Sequence, residues 1–154
     1  MQSLWNDSEA AGFAADAQLG LRVYSSRLLG RDADLVLHGG GNTSVKREVT
    51  NVFGESEEVL FVKGSGWDLQ TIAAGGFAPV RLSYLLRLAD LPSLTDTEMM
   101  RELRLALLDP AAPTPSVEAI LHALIPRRYV DHTHADAVVA ISNTPGGEAR
   151  LRQL

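Results

Sequence analysis

The stretch Asp131-His-Thr-His134 carries the sharpest chemical signal in the sequence. In an extended strand, residues two apart face the same side. His132 and His134 can then aim both imidazoles at one cation. Neutral imidazole is a good zinc ligand, and a catalytic zinc site has about four positions with one left open. The plainer alternative is two unrelated surface histidines, and the pair alone does not separate the two. A third ligand is available in Glu118, within Pro115-Ser-Val-Glu118 and just ahead of the histidine strand. A carboxylate there also suits the positive end of a helix dipole, so Glu118 has a purely structural reading as well. His122 lies four residues on, on the same helical face. It is either a rival ligand or a buried histidine that supports Glu118. His38 is a fourth candidate, although its place beside three glycines favours a structural role. With no cysteine in the chain, any metal must be held by His, Asp, Glu or water.

Two glycine-rich segments suggest anion binding. Gly39-Gly-Gly-Asn-Thr-Ser44 puts three glycines before small polar residues, and Lys63-Gly-Ser-Gly66 repeats the pattern with a cation added. Glycine allows close backbone approach, and exposed N–H groups in such turns form anion-binding nests. Asn42, Thr43 and Ser44 add side-chain donors. Ser65, Gly66 and Ser116 complete the candidate phosphate set, Ser116 because helix N-termini attract phosphate. Each loop also reads as a tight hairpin turn. Neither fits the Walker pattern, and no G-x-G-x-x-G follows an expected strand, which disfavours nucleotides.

The elements that must position these residues follow from periodicity and caps. Asp7 or Ser8 can cap a helix running to about Leu29, closed by Gly30, with Phe13, Ala17, Leu21, Tyr24 and Leu28 facing the core. Asp34–His38 reads as a short strand or turn. Thr43–Val49 and Glu57–Val62 read as strands joined through Asn51 and Gly54. A helical turn is expected at Asp68–Ala73 and a helix at Ser83–Ala89. Thr95 and Glu98 form a capping box for a helix that ends near Asp109-Pro110. Ser116 caps a helix to about Leu124. Arg128–Thr133 reads as a strand and Ala135–Ile141 as a helix. Pro145–Leu154 is polar and carries no terminus signal. The interleaving implies one α/β domain with a mixed sheet.

Bulk properties narrow the function. The chain has 154 residues, enough for one domain with a real core. A net charge of −5 does not favour nucleic acid or anionic membranes. No run approaches the ~20 apolar residues of a membrane span. Composition and the polar start Met1–Glu9, which lacks a signal peptide, suggest a cytoplasmic enzyme.

These segments together resemble the class II aldolase/adducin family. The matching stretches are Leu37-His-Gly-Gly-Gly-Asn-Thr-Ser-Val-Lys46, Val59-Leu-Phe-Val-Lys-Gly-Ser-Gly-Trp-Asp-Leu69, Pro115-Ser-Val-Glu-Ala-Ile-Leu-His-Ala123 and Val130-Asp-His-Thr-His-Ala-Asp-Ala137. Their order and spacing match over about Gly20 to Asn143. The wording is closest to the aldolase half of bifunctional rhamnulose-1-phosphate aldolase/short-chain dehydrogenase proteins. The resemblance implies a three-layer α/β/α fold with a mixed, mostly antiparallel sheet, and a homotetramer with sites between subunits. It implies zinc bound by His132, His134 and a third histidine beyond Leu154. Glu118 becomes the acid/base, while Asn42, Thr43, Ser65, Gly66 and Ser116 line the substrate-phosphate loops. Val117 stands where relatives often carry a second serine, which weakens the case for a phosphorylated substrate. No histidine follows His134, so residues 1–154 are expected to be the N-terminal part of a longer aldolase domain, itself inactive, with a dehydrogenase domain able to follow.

The expected reaction is zinc-dependent cleavage of a ketose or ketose 1-phosphate to dihydroxyacetone (phosphate) and an aldehyde, in carbohydrate catabolism. Lys63 is read as an anion partner, not a Schiff-base nucleophile. The alternatives are an epimerase, decarboxylase or dehydratase of the same family, or an adducin-like structural domain. Retention of His132, His134 and Glu118 argues against the last.

Overall fold

The computed structural model describes residues 3–16 and 19–153. Four strands form one antiparallel sheet in the order β3-β2-β1-β4. They are β1 (Asn42–Thr50), β2 (Ser56–Lys63), β3 (Phe77–Arg81) and β4 (Tyr129–His132). Helices cover both faces, which gives the expected three layers. The expected mixed sheet has no parallel pair among the described strands.

The β1–β2 hairpin follows from its turn. Asn51 accepts hydrogen bonds through Oδ1 from the amides of Phe53 (2.9 Å) and Glu55 (3.0 Å). Gly54 supplies the left-handed residue at φ 81°. Alternation along β1 then sorts side chains to two faces. Thr43 and Val45 face α2 (Leu19–Gly30), where Val45 joins Leu19, Val23, Leu69, Ile72 and Phe77 in one buried cluster. Asn42, Ser44 and Lys46 face the other side. There Leu60, Val62, Ala78 and Val80 pack against α3 (Leu82–Ala89), α4 (Asp96–Leu105) and α5 (Ala119–Leu124).

Several local expectations need correction. The single N-terminal helix is two: α1 (Asp7–Ala11), capped by Asn6 rather than Asp7 or Ser8, and α2. Gly12 weakens helix continuation, and Asp16 accepts from the Leu19 amide at 3.1 Å, starting α2 afresh. Ala17 lies outside the described residues. Gly30 is the C-terminal residue of α2, as expected. A Cβ there would come within 2.2 Å of the Gln70 amide nitrogen, so close packing demands glycine. Asp34–His38 forms turns, not a strand. The helical turn expected at Asp68–Ala73 is a turn at 69–71, followed by a 3-10 turn at Ala74–Gly76.

Strand β3 adds to the expected elements, and Pro79 sits in its middle. It is an edge strand, and the Pro79 carbonyl points outward to accept from Leu108 at 3.0 Å. The missing N–H is thus on the side away from β2. Thr95 and Glu98 form the capping box as expected, but α4 stops at Leu105 so that Ala106 can accept from the Arg81 amide. A helix α6 (Asp136–Ser142) follows β4. The tail also forms a helix, α7 (Gly147–Leu151), entered through Gly146 at φ 76°.

Candidate metal and acid–base site

The site is assembled around the first residues of β1. Asn42 pairs with His132 and Ser44 with Val130 across the β1–β4 ladder. Side chains directly opposite share a face, so His132 emerges beside Asn42 on the α5 side. Helix α5 is preceded by the turn that carries Glu118. Ser116 Oγ accepts from the Glu118 amide (3.3 Å), and the helix starts three residues later than Ser116, at Ala119. Six residues make a weak dipole, so the helix-terminus argument for phosphate at Ser116 loses force.

Glu118 Oε1 lies 2.9 Å from His132 Nδ1. The ligand atoms of Glu118, His122 and His132 all fall within 4.8 Å of one another. His122 is fully buried, with Nδ1 2.8 Å from Ser44 Oγ. Its Nε2, His132 Nδ1 and both polar atoms of the Asn42 side chain are buried without an aligned hydrogen-bond partner. Unpartnered buried polar atoms are costly, and several gathered beside a carboxylate fit a missing cation or polar ligand. The donor set, two imidazoles and a carboxylate, suits zinc or a similar divalent metal.

His134 lies past the end of β4, so strand alternation does not govern it. Its amide is held by the Leu35 carbonyl at 2.9 Å. Its ring still lies edge-on to His132, with centroids 4.9 Å apart. Among the described residues it is not in the tight ligand group, whereas His122 is. His38 is exposed and left-handed at φ 51° and is not in that group either.

Electrostatics sharpen the contrast between these groups. Burial pushes the Glu118 carboxyl up, but the Asn42 amide and His132 outweigh it and hold it below the ordinary range. Burial pushes His122 down to about 4, against the opposing pull of Glu118. Burial also lowers Lys63, with Glu118 and Asp68 opposing. A mostly neutral buried imidazole and an ionised carboxylate are the protonation states a metal site needs.

The glycine loops converge on this region. Lys63 Nζ donates to the Gly39 carbonyl at 3.1 Å, and Ser65 N–H donates to the Thr114 carbonyl at 2.9 Å. Gly64 bridges to Pro115. Asn42, Lys63, Ser65, Gly66 and Ser116 are therefore neighbours in one loop cluster, with Gly66 at φ 80°. Thr43 is a correction. Its hydroxyl is buried 2.7 Å from Ser26 Oγ under α2, because the alternation that turns Asn42 toward Glu118 turns Thr43 away. Sequence reasoning missed Ser44 as the partner of His122. Its place two residues after Asn42 is the signal that puts it on the same face. A cavity of about 680 Å³ lies further along β1 among Lys46, Leu86, Arg127 and Arg128, and Glu118 and His132 do not line it.

Comparison with known proteins identifies the family of the domain. Residues 22–153 match the Class II Aldolase and Adducin N-terminal domain. The chain is similar to the uncharacterized oxidoreductase YuxG of Bacillus subtilis (strain 168). The two are 36% identical over 148 residues, 96% of this chain and 21% of YuxG. It is also similar to the N-terminal class II aldolase domain of a conserved protein from Thermoplasma acidophilum. That likeness has a TM-score of 0.87 and 40% identity, covering 99% of this chain and 69% of that one. On these grounds the chain belongs to the class II aldolase and adducin N-terminal domain family.

Proposed function

We propose that this domain is a zinc-dependent aldehyde-lyase acting on a ketose or ketose 1-phosphate, with dihydroxyacetone (phosphate) and an aldehyde as products. The observation that carries the reading is the Glu118–His132 approach at 2.9 Å, set among buried nitrogens that lack partners. His132 and His134 would hold the metal, which supplies Lewis-acid polarisation of the substrate carbonyl. In the cleavage direction the bond from the carbon beside that carbonyl to the future aldehyde carbon breaks as the hydroxyl on the latter loses its proton, and Glu118 would deliver a proton to the former. In the condensation direction it would remove that proton, a task suited to a partly buried carboxylate within reach of the substrate. The loops at Asn42, Ser65, Gly66 and Ser116 bind the far end of the sugar, and Lys63 lends positive charge to an anionic group there.

A cytoplasmic homotetramer is part of the same proposal. Helix α6 buries none of its residues, and Val138 and Val139 are exposed on it, which supports a further layer of protein over this face. None of the described helices is long and apolar enough to cross a membrane.

Product analysis tests the reaction. The zinc-loaded full-length protein is incubated with a panel of ketoses and ketose 1-phosphates, with and without chelator. Chelator-sensitive release of dihydroxyacetone or its phosphate is expected. Inversion at a carbon without cleavage would instead make the domain an epimerase.

A further inference from the structure

The β1–β2 hairpin outruns the rest of its sheet. Strand β4 pairs with β1 only as far as Val45, and β3 pairs with β2 only from Val59. Beyond them β1 and β2 pair with each other alone, through Glu48 with Glu58, Val49 with Glu57 and Thr50 with Ser56. They project there as a two-stranded arm roughly 10 Å long. Its turn is held in one shape. The Gly54 amide donates to the Asn51 carbonyl at 3.0 Å, and Asn51 Nδ2 donates to Glu55 Oε2 at 3.0 Å. That turn presents Val52 and Phe53 at 94% and 83% exposure. A single exposed apolar residue needs no explanation, but a valine and a phenylalanine together at the end of an ordered arm form an apolar knob. The arm is also acidic. Glu48, Glu55, Glu57 and Glu58 lie on it with no lysine or arginine among them. Glu48 stands directly opposite Glu58, a like-charge pairing that destabilises a ladder.

We propose that the Val52–Phe53 tip docks into the groove at the base of the arm of a second copy of this chain. The groove is the cavity of about 680 Å³ beside β1, floored by Leu86, Leu124 and Pro126 and rimmed by Arg127 and Arg128. Leu86 and Leu124 are 40% and 55% exposed, so the floor lacks a cover. The volume lies in the range of about 300–1,000 Å³ that holds small ligands, which leaves room for two side chains. The lining holds four cations, Lys46 and Arg47 being the others, against the two carboxylates Glu48 and Glu58. Arg127 and Arg128 are exposed, and among the described residues neither is in an ion pair. Charge decides the partner. The chain carries −5, so two copies repel at long range, and an acidic arm approaches another copy best where arginines stand. Knob and groove match in polarity and oppose in sign, and both belong to one chain. Each copy therefore offers one and receives one, the condition for a closed assembly of identical subunits. The inference rests on the self-association proposed above and is independent of the reaction.

Two measurements on the purified full-length protein test it. In the first, Phe53 is replaced by the photo-crosslinker p-benzoylphenylalanine and the protein is irradiated. A band of doubled mass on a denaturing gel is expected. Mass spectrometry of that band should place the crosslink on the segment around Leu86 or on Leu124 to Arg128. A crosslink within one chain would mean that another part of the same polypeptide covers the tip, and it overturns the proposal. So does a crosslink between chains at any other segment, or none. The second measurement is sedimentation velocity over a dilution series. Phe53→Glu is expected to raise the dissociation constant of self-association about tenfold or more, as the loss of an aromatic anchor does. Its far-UV circular dichroism and thermal midpoint should stay native, because the side chain is exposed. Phe53→Leu, which keeps the tip apolar, is expected to assemble nearly as well as the unaltered protein, and Arg128→Glu to weaken assembly. If the unaltered protein assembles and Phe53→Glu does so equally, this interface alone falls. If the unaltered protein is a monomer at every concentration, the proposed homotetramer falls with it.

Discussion

Lys46 Nζ donates to the carbonyls of His122 (2.8 Å) and Arg127 (3.0 Å), and so ties the middle of β1 to the end of α5. It also reaches the Ile125 carbonyl. A lysine has three donors, and here all three meet carbonyls at or just beyond the end of a short helix. The contact holds α5 against the strand from which Asn42 and Ser44 face the site.

Lys46→Met should therefore destabilise the fold by roughly 2 kcal/mol, the scale of hydrogen bonds to a charged group. Urea unfolding followed by circular dichroism measures it. Lys46→Arg is expected to recover part of the loss. A methionine variant as stable as the native chain would show that the helix end is solvated equally well without the lysine.

Glu118→Gln in the zinc-loaded enzyme should keep its zinc and lose about 10²–10⁴-fold in turnover, the usual worth of a general acid–base group. His132→Ala should lose metal and activity together. Zinc content and cleavage rate on the same preparations check both. If Glu118→Gln loses zinc as fully as His132→Ala, the carboxylate is a ligand and another group carries the proton.

In the metal-free protein, His122 makes stability depend on pH. Burial, the largest influence, pushes it from an ordinary 6.5 to about 4, with Glu118 and Asp131 opposing and His132 and Lys46 adding to the fall. Between those values the unfolded chain binds the proton and the folded chain does not. The stabilising contribution is complete above about 6.5 and falls as pH drops. It is lost once pH passes below about 4, with a slope near 1.4 kcal/mol per pH unit. Unfolding free energies at pH 7 and pH 5 should differ in that sense, and His122→Gln should shrink the difference. An unchanged slope in that variant would assign the dependence to other groups.

Arg22 is buried on the α2 side and lies 2.6 Å from Asp131, the residue before His132. It also donates to the Ser44 carbonyl at 3.3 Å. Arg22→Met should cost roughly 3 kcal/mol, the low end for breaking a buried pair, because Asp131 is itself half exposed. Asp131→Asn, which keeps a hydrogen-bond acceptor, should cost less. Thermal unfolding of the two variants ranks them. The reverse order would show that the carboxylate charge of Asp131, and not the packing of the arginine, dominates the contact.

Much of this protein is determined locally. The β1–β2 hairpin is legible from alternation and from Asn51 and Gly54, and the start of α4 from Thr95 and Glu98, because each is written in residues a few positions apart. The Asp131-His-Thr-His134 pattern likewise puts its first histidine on a known face of a strand. Tertiary structure alone decided the rest. Pro79 argues against a strand until β3 is seen to be an edge with its carbonyl turned to Leu108. Thr43 looks as available as Asn42 until α2 covers it through Ser26. His122 has two nitrogens of equal promise, and the one left free is set by Ser44, distant in sequence but 2.8 Å away in space. Periodicity assigns a side chain to a face. Its hydrogen-bond state and protonation depend on which atoms the fold brings against it, and those come from elsewhere in the chain.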